Sequence, residues 1–181
     1  MNIHTIILAA GKGTRMNTNL PKVMQPLGGS TIISHVIDTA QKVSHEITLV
    51  TGYKKEILKN YVTNLYSSIN AVDQDEQLGT GHAVKQATHL ITADQKVLIL
   101  YGDVPLISEA TIQALLTKSD ECCLLSMEPE DPTPYGKIIK NNQGDAIKIT
   151  EQKDASDEER KIKEVFTGIM VVQGSLLIES L

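Results

Sequence analysis

The 181-residue sequence predicts an α/β fold in which a mostly parallel β-sheet carries helices on both faces. Short apolar runs alternate along the chain with amphipathic segments that have helical spacing. The first apolar run ends in a glycine-rich turn, and a second run ends directly before an aspartate. With 41% hydrophobic and 22% charged residues, the composition is that of one globular domain over residues 1–181.

Five apolar runs bounded by turn residues predict strands, several of them buried on both faces. They are Ile3–Leu8, Glu46–Val50, Ile69–Val72, Val97–Tyr101 and Cys122–Met127. Between them, four stripes with helical spacing predict helices, within Ile32–Ala40, Ile57–Leu65, Ala83–Ile91 and Ile112–Leu116. Ser108 is the expected N-cap of the last of these helices.

The pattern changes after residue 128, where three prolines interrupt the alternation. Gly136–Lys140 and Ala146–Thr150 predict a hairpin, and the charge-rich run Asp154–Glu164 predicts a solvated helix or loop. Phe166–Val172 predicts another strand. Ser175–Leu181 begins an amphipathic helix without a C-cap, which we interpret as an interrupted element.

Charge and composition exclude several function classes. The net charge of −5 argues against nucleic-acid or anionic-membrane binding, and no apolar run approaches the roughly 20 residues of a membrane span. The only cysteines, Cys122 and Cys123, are adjacent, which favours free, buried thiols and a cytoplasmic protein. The first acid is Asp38, whereas three cations precede it, so we expect a small-anion site near the amino terminus, with chance as the alternative.

The glycine-rich turn is the most informative segment. Residues 8–16 read LAAGKGTRM, and small residues after a buried strand let backbone N–H groups approach phosphate oxygens. Neither the Walker pattern nor the dinucleotide-binding fingerprint is present. The cations Lys12, Arg15 and Lys22 suit a triphosphate or two phosphorylated ligands. An ordinary loop with solvated lysines is the alternative.

Two further segments follow predicted strands. Gln74 presents both a donor and an acceptor, as a nucleobase edge requires, and Gly79 and Thr80 offer backbone N–H groups at the carboxyl edge of the sheet. His82 is interpreted as a surface or capping histidine rather than a base. Asp103 closes a buried strand, where a carboxylate either binds Mg²⁺ with substrate phosphates or caps the following turn.

Together these motifs resemble the sugar-nucleotide pyrophosphorylases, a family of nucleotidyltransferases whose signature LAAGxGTRM precedes a Pro-Lys pair. More closely, the chain resembles the N-terminal uridyltransferase domain of the bifunctional bacterial UDP-N-acetylglucosamine pyrophosphorylase/glucosamine-1-phosphate acetyltransferases. QLGTGHA over 77–83, YGDVPLI over 101–107, YGKI over 135–138 and ExKDA over 151–155 carry this likeness. It covers residues 3 to about 178.

The resemblance implies a Rossmann-like, three-layer α/β/α nucleotidyltransferase fold with a mostly parallel mixed sheet. It further implies a single domain over 1–181 that lacks its C-terminal part, including an Asn expected to complete the Mg²⁺ site. The β-helix acetyltransferase domain is expected to be missing, and with it trimerisation through that domain.

The resemblance also assigns roles. The expected catalytic residues are Arg15, Lys22 and Asp103, with Asp103 as the ligand of an Mg²⁺ cofactor. The nucleotide is expected to contact Leu8, Ala9, Ala10, Gly11, Gln74, Gly79 and Thr80. The sugar is expected to contact Tyr101, Gly102, Gly136 and Glu151. The implied substrates are UTP and N-acetylglucosamine 1-phosphate, and the implied product is a precursor of peptidoglycan and lipopolysaccharide.

The sequence departs from the family where Asn-Thr-Gly-Ile is usual near the sugar, because position 166 is Phe166. Phenylalanine cannot supply the amide's hydrogen bonds, a loss of about 1–3 kcal/mol with a polar ligand. Two alternatives therefore stay open: a nucleotide-binding remnant with impaired catalysis, and a related nucleotidyltransferase for another sugar or nucleotide.

Overall fold

The computed structural model describes residues 2–13, 18–118 and 121–181. Its contacts divide the chain into two compact units. The first comprises Met1–Cys123 and Met170–Leu181, and the second comprises Leu124–Ile169.

Strands and helices alternate along the described residues much as the hydrophobic pattern predicts. The strands are β1 (Ile3–Ala9), β2 (Pro26–Leu27), β3 (Ser30–Thr31), β4 (Glu46–Thr51), β5 (Ile69–Asp73), β6 (Lys96–Tyr101), β7 (Cys122–Met127), β8 (Lys137–Lys140), β9 (Ala146–Thr150) and β10 (Val165–Gln173). The α-helices are α1 (Ile32–Gln41), α2 (Lys55–Leu65), α3 (Thr80–Ala87), α4 (Glu109–Lys118) and α5 (Gly174–Ser180). Short 3₁₀ turns span Lys22–Met24, Thr88–Leu90 and Glu159–Lys161.

The first unit is built on a parallel sheet in the order β5-β4-β1-β6. In β1, Leu8 lies opposite Val50 of β4 and Tyr101 of β6. The last four residues of β10, Met170–Gln173, pair antiparallel with β6, which makes the sheet mixed. The predicted fold class, a mixed α/β architecture with a mostly parallel sheet, is confirmed.

Helices pack on the two faces of this sheet. On one face, Ile6 and Leu8 of β1 share a core with Ala83 and Ala87 of α3 and with Leu177 of α5. Neighbouring strand residues point to the opposite face. Because crossovers between parallel strands are right-handed, α1 and α2, which connect β1 to β4 and β4 to β5, cover that opposite face.

Two of the described α-helices, α1 and α4, begin at a side-chain N-cap. The predicted N-cap Ser108 is confirmed, since its Oγ accepts from the Thr111 N–H at 3.1 Å. Thr31 caps α1 by accepting from the Ser34 N–H at 3.3 Å. α2 has no side-chain cap, and the residue before it, Lys54, takes a left-handed conformation at φ 52°.

The second unit contains the predicted hairpin. Strands β8 and β9 pair antiparallel, and the turn between them reverses through Gly144 at φ +91°. The charge-rich run is mostly exposed, as predicted, and holds one 3₁₀ turn. Lys137 is fully buried, and its ammonium donates to the backbone carbonyls of Pro132 and Tyr135.

The structure tests the predicted burial of the two cysteines. Both cysteines are free, but Cys122 is exposed, so its predicted burial is wrong: it is the first residue of β7, at the strand's exposed end. Across the residues that the structure describes, no helix is long and apolar enough to cross a membrane.

Candidate active site

A cavity of about 510 Å³ opens in the first unit at the carboxyl ends of β1, β5 and β6. This edge is where ligands of open α/β folds bind. Residues predicted from sequence line it: Leu8, Ala9, Ala10, Gly11, Lys22, Gln74, Gly79, Thr80, Tyr101 and Asp103. Gly13, Val23, Gln77 and Ala83 also line it and were not predicted as site residues.

Parallel strands bring these segments together because their backbone pairing continues past the strand ends. The Gly102 N–H donates to the Leu8 carbonyl at 2.9 Å, and the Gln74 N–H donates to the Thr51 carbonyl at 2.7 Å. Gly102 itself does not line the cavity. A Cβ at this position would lie 2.9 Å from Ile33 Cδ1, so Gly102 lets the turn pack closely against the core.

An ion pair marks the charged side of the cavity. Lys22 Nζ lies 2.5 Å from Asp103 Oδ2, and the two side chains are 43% and 29% exposed. Lys22 begins a 3₁₀ turn directly after Pro21, whereas Asp103 lies in the turn after β6. Two side chains 81 positions apart in sequence thus meet where the glycine-rich turn faces the end of β6.

The position of Lys22 depends on Gly13. Gly13 has φ +59°, and a Cβ added to it would lie 2.7 Å from Lys22 Cβ. The Lys22 stem therefore passes directly over the glycine. Lys54 also holds this region, since its ammonium donates to the Asn19 carbonyl. Of the other two predicted cations, Arg15 lies outside the described residues, and Lys12 is exposed and does not line the cavity.

The segment after β5 forms a second wall of the cavity. Gln74 is 4% exposed, and its Nε2 donates to the Gly79 carbonyl at 3.0 Å and to His82 Nδ1 at 3.1 Å. Gln77 Nε2 donates to the Ala10 carbonyl at 2.8 Å and ties this wall to the glycine-rich turn. A glutamine in a polar loop does not by itself indicate a site residue. Gln77 could have been identified only from its position in the QLGTGHA segment.

Asp73, which directly precedes Gln74 in this wall, is held by two ion pairs and a hydrogen bond. Lys59 Nζ lies 2.6 Å and Lys55 Nζ 3.2 Å from its carboxylate, and Thr51 Oγ1 donates to it at 2.8 Å. Burial raises the pKa of Asp73, but these cations and the hydroxyl outweigh it and lower the pKa from 3.8 to about 2. The carboxylate is therefore charged throughout the neutral range.

The two remaining predicted sugar contacts lie in the second unit. A Cβ at Gly136 would lie 2.9 Å from Ile149 Cγ2 and 3.6 Å from Glu151 Oε1, so Gly136 and Glu151 are neighbours there. The Phe166 N–H donates to the Gly136 carbonyl at 2.9 Å. The residue that departs from the family pattern is therefore beside Gly136.

The side chains that could act as metal ligands can be compared with the Mg²⁺ site that the sequence predicts. Within residues 2–13, 18–118 and 121–181, no three His, Cys, Asp or Glu side chains converge as a metal-binding group. Asp103 is the carboxylate in the cavity wall. One carboxylate fits Mg²⁺ when substrate phosphates and water supply the other ligands, which is its usual coordination in phosphoryl-transfer sites.

Solved structures share the architecture. A protein described as a glucose-1-phosphate thymidylyltransferase from Bacillus anthracis, solved with sucrose, aligns with a TM-score of 0.76 and 21% identity. That alignment covers 97% of this chain and 73% of the other. A UDP-glucose pyrophosphorylase solved with UDP-glucose aligns with a TM-score of 0.78 and 20% identity, over 98% of this chain and 78% of the other. At these identities the likeness concerns the fold.

The family assignment comes from the sequence itself. The model of the MobA-like NTP transferase domain matches residues 5–157, a span that includes β1, the glycine-rich turn, Lys22, the segment after β5 and Asp103. The chain therefore belongs to the MobA-like NTP transferase family and is a nucleotidyltransferase by family.

Proposed function

We propose that this protein is a sugar-nucleotide nucleotidyltransferase that transfers UMP from UTP to N-acetylglucosamine 1-phosphate, releasing pyrophosphate. The observation that carries the proposal is the Lys22–Asp103 pair in a cavity whose other wall is the LAAGKG turn. Family membership supports nucleotide transfer. The two similar structures are named for a sugar phosphate and a sugar nucleotide, which supports a sugar phosphate as acceptor.

The first task of the site is to hold the nucleotide. Backbone groups of Leu8 to Gly11 would face it at the end of β1, and Gln74 and Gly79 would face its base. Small residues at 9–11 leave room for the triphosphate to approach the backbone. Tyr101 would lie against the sugar nucleotide, while Gly136 and Glu151 are proposed to bind the acetamido sugar.

Transfer itself needs alignment and charge stabilisation rather than a protein nucleophile. An oxygen of the sugar phosphate attacks the α-phosphorus of UTP, a new O–P bond forms, and the bond from the α-phosphorus to the bridging oxygen of pyrophosphate breaks. The Lys22 ammonium would stabilise the negative charge that develops on the phosphoryl oxygens, and Arg15 is the second proposed cation. Fixing two polyanions in line supplies much of the rate.

Asp103 would hold the Mg²⁺ ion together with the phosphates. When bound, the ion supplies Lewis-acid stabilisation of the phosphoryl oxygens. Asp103 also accepts from Lys22, so one carboxylate orients the catalytic cation and is the proposed metal ligand.

The direct test is pyrophosphate release from UTP, N-acetylglucosamine 1-phosphate and Mg²⁺. Asp103→Asn should lose turnover, whereas Asp94→Asn, an exposed aspartate outside the cavity, should behave as wild type. A folded wild-type protein that binds UTP without releasing pyrophosphate would refute the catalytic proposal and indicate a remnant. Release with a different sugar phosphate or nucleotide would replace the proposed substrates and retain the reaction.

A further inference from the structure

Lys137, the first residue of β8, is a fully buried lysine whose hydrogen-bond acceptors are neutral. Its ammonium donates to the backbone carbonyls of Pro132 and Tyr135, the latter at 3.0 Å. The exposed Asp131 carboxylate interacts with this charge only at longer range and accepts from the Thr133 N–H at 3.0 Å. Burying an ammonium without a carboxylate in contact is costly, so this lysine indicates a task beyond filling space.

The two carbonyls that accept from Lys137 belong to the first and last residues of one tight turn. The Tyr135 N–H donates to the Pro132 carbonyl at 3.2 Å, which closes the turn over residues 132–135. Pro132 and Pro134 have no N–H, so the turn has few donors of its own. An ammonium has three N–H groups and can bind both carbonyls at once, whereas an apolar side chain would remove this partner from both.

The bond to the Tyr135 carbonyl also orients the residue that follows it. The Tyr135 carbonyl and the Gly136 N–H belong to one planar trans peptide unit, so they point in opposite directions. Because the carbonyl is held against the ammonium, the Gly136 N–H points away from Lys137. Gly136 is buried, yet among the described residues its N–H has no hydrogen-bond partner. A buried donor of this kind is costly, and an oxygen of a ligand would satisfy it.

We propose that Lys137 is a positioning residue for the acceptor sugar. By fixing the Tyr135–Gly136 peptide plane, it holds the Gly136 N–H in the direction that lets it donate to a hydroxyl or amide oxygen of the sugar. The inference rests on the proposed function, because it concerns the acetamido sugar assigned there to Gly136 and Glu151. Without the ammonium, this peptide can rotate and the donor loses its direction, while the nucleotide-binding cavity of the first unit is unchanged.

The experiment compares Lys137→Met, which keeps an unbranched stem and removes the ammonium, with Lys137→Arg, which restores a cationic donor. Lys140→Met is the matched control, since Lys140 lies on the same strand and its exposed ammonium pairs with Glu164 at 2.6 Å. For each protein, kcat and the KM values for UTP and N-acetylglucosamine 1-phosphate are measured with Mg²⁺, and melting curves show that it is folded. Thermal shifts with UDP-N-acetylglucosamine and with UDP report the contribution of the sugar without turnover.

Lys137→Met should raise the KM for N-acetylglucosamine 1-phosphate about tenfold, with kcat and the KM for UTP close to wild type, because only a contact to the acceptor is lost. The extra thermal shift that UDP-N-acetylglucosamine gives over UDP should shrink in the same variant. Lys137→Arg and Lys140→Met should keep the wild-type values. If Lys137→Met does not fold, Lys137→Gln, which removes the charge and keeps a polar end, is measured in its place with the same expectation.

A folded Met or Gln variant with the wild-type KM for the sugar phosphate would overturn the inference. Equal rises in both KM values would also overturn it, since they indicate a general change of the fold. If the wild type shows neither turnover nor an extra shift from the sugar, the proposed function fails before any variant is measured. If the wild type shows the extra shift without turnover, only the proposed catalysis fails, and an unchanged extra shift in the Met or Gln variant would then overturn the inference by itself.

Discussion

Gly13→Ala is expected to remove most of the turnover while leaving the protein folded. The added methyl group would lie 2.7 Å from Lys22 Cβ and 3.5 Å from Lys22 Cα. Contacts between carbon atoms below about 3.0 Å do not persist, because van der Waals repulsion rises steeply inside the optimal separation of about 3.5–4.0 Å. The Lys22 stem must therefore move away from the glycine-rich turn.

Gly13→Ala is expected to lower both the stability of the protein and its turnover. Placing alanine at φ +59° costs about 1–2 kcal/mol of stability, since a Cβ is unfavourable in the left-handed region. The larger effect is on rate: a displacement of roughly 1 Å in a catalytic group costs about 10²-fold. The variant should accordingly melt a few degrees lower and turn over about a hundredfold more slowly.

Initial rates of pyrophosphate release and thermal melts measure the two effects separately. Gly144→Ala is the matched control, because Gly144 also has a positive φ, +91°, but a Cβ there meets nothing within 4 Å. The Gly144→Ala variant should lose about as much stability as Gly13→Ala but release pyrophosphate at the wild-type rate. A wild-type rate in Gly13→Ala, or equal rate losses in both variants, would refute the argument that Gly13 matters through Lys22.

Four further changes test other parts of the molecule. Lys22→Ala should lower turnover about 10²–10³-fold with a stability change within about 1 kcal/mol, because Lys22 is 43% exposed; Lys163→Ala is the control. Gln77→Glu should raise the KM for nucleotide about tenfold, since a carboxylate would face the Ala10 carbonyl, and unchanged kinetics would contradict this. The Asp73 pKa of about 2 lies below its ordinary 3.8, so this carboxylate stabilises the fold above pH 4 and loses that effect as the pH falls toward 2. Asp73→Asn should therefore cost about 1–2 kcal/mol at neutral pH and flatten the acid limb of unfolding curves. Phe166→Asn should tighten sugar-phosphate binding without disturbing β10, since the bond to Gly136 uses the backbone, and an unchanged KM would place Phe166 away from the sugar.

The sequence predicted the elements well because their signals are local. Apolar runs and helical stripes are read within one segment, and the observed β1 differs from its predicted range by one residue at its end. The strand order could not be read in this way. The neighbours of β1 are β4 and β6, whose pairing depends on contacts between residues far apart in the chain.

The sequence could predict which residues line the cavity where each of them directly follows a strand, because the strand then determines where the residue lies. Asp103 lies in the turn after β6 and Gln74 directly follows β5, and because these strands run parallel in one sheet, both residues had to reach the same edge. What a side chain does at that edge depends on its partners. From the sequence alone, Gln74 offers a donor and an acceptor, whereas in the fold its Nε2 donates to the Gly79 carbonyl and lies 3.1 Å from His82 Nδ1.

The pairing of Lys22 with Asp103 shows why the charges of this site come from two separate turns. A lone ammonium or carboxylate beside the apolar side chains of Leu8, Ala9 and Val23 in the cavity wall would lose hydration with no compensation. Held 2.5 Å apart, the two groups compensate each other, and they remain exposed enough for phosphate oxygens to compete for the ammonium. In the proposed reaction, a phosphorylated ligand would take over the ammonium of this ion pair, whereas in the free protein neither of the two charges is left unpaired.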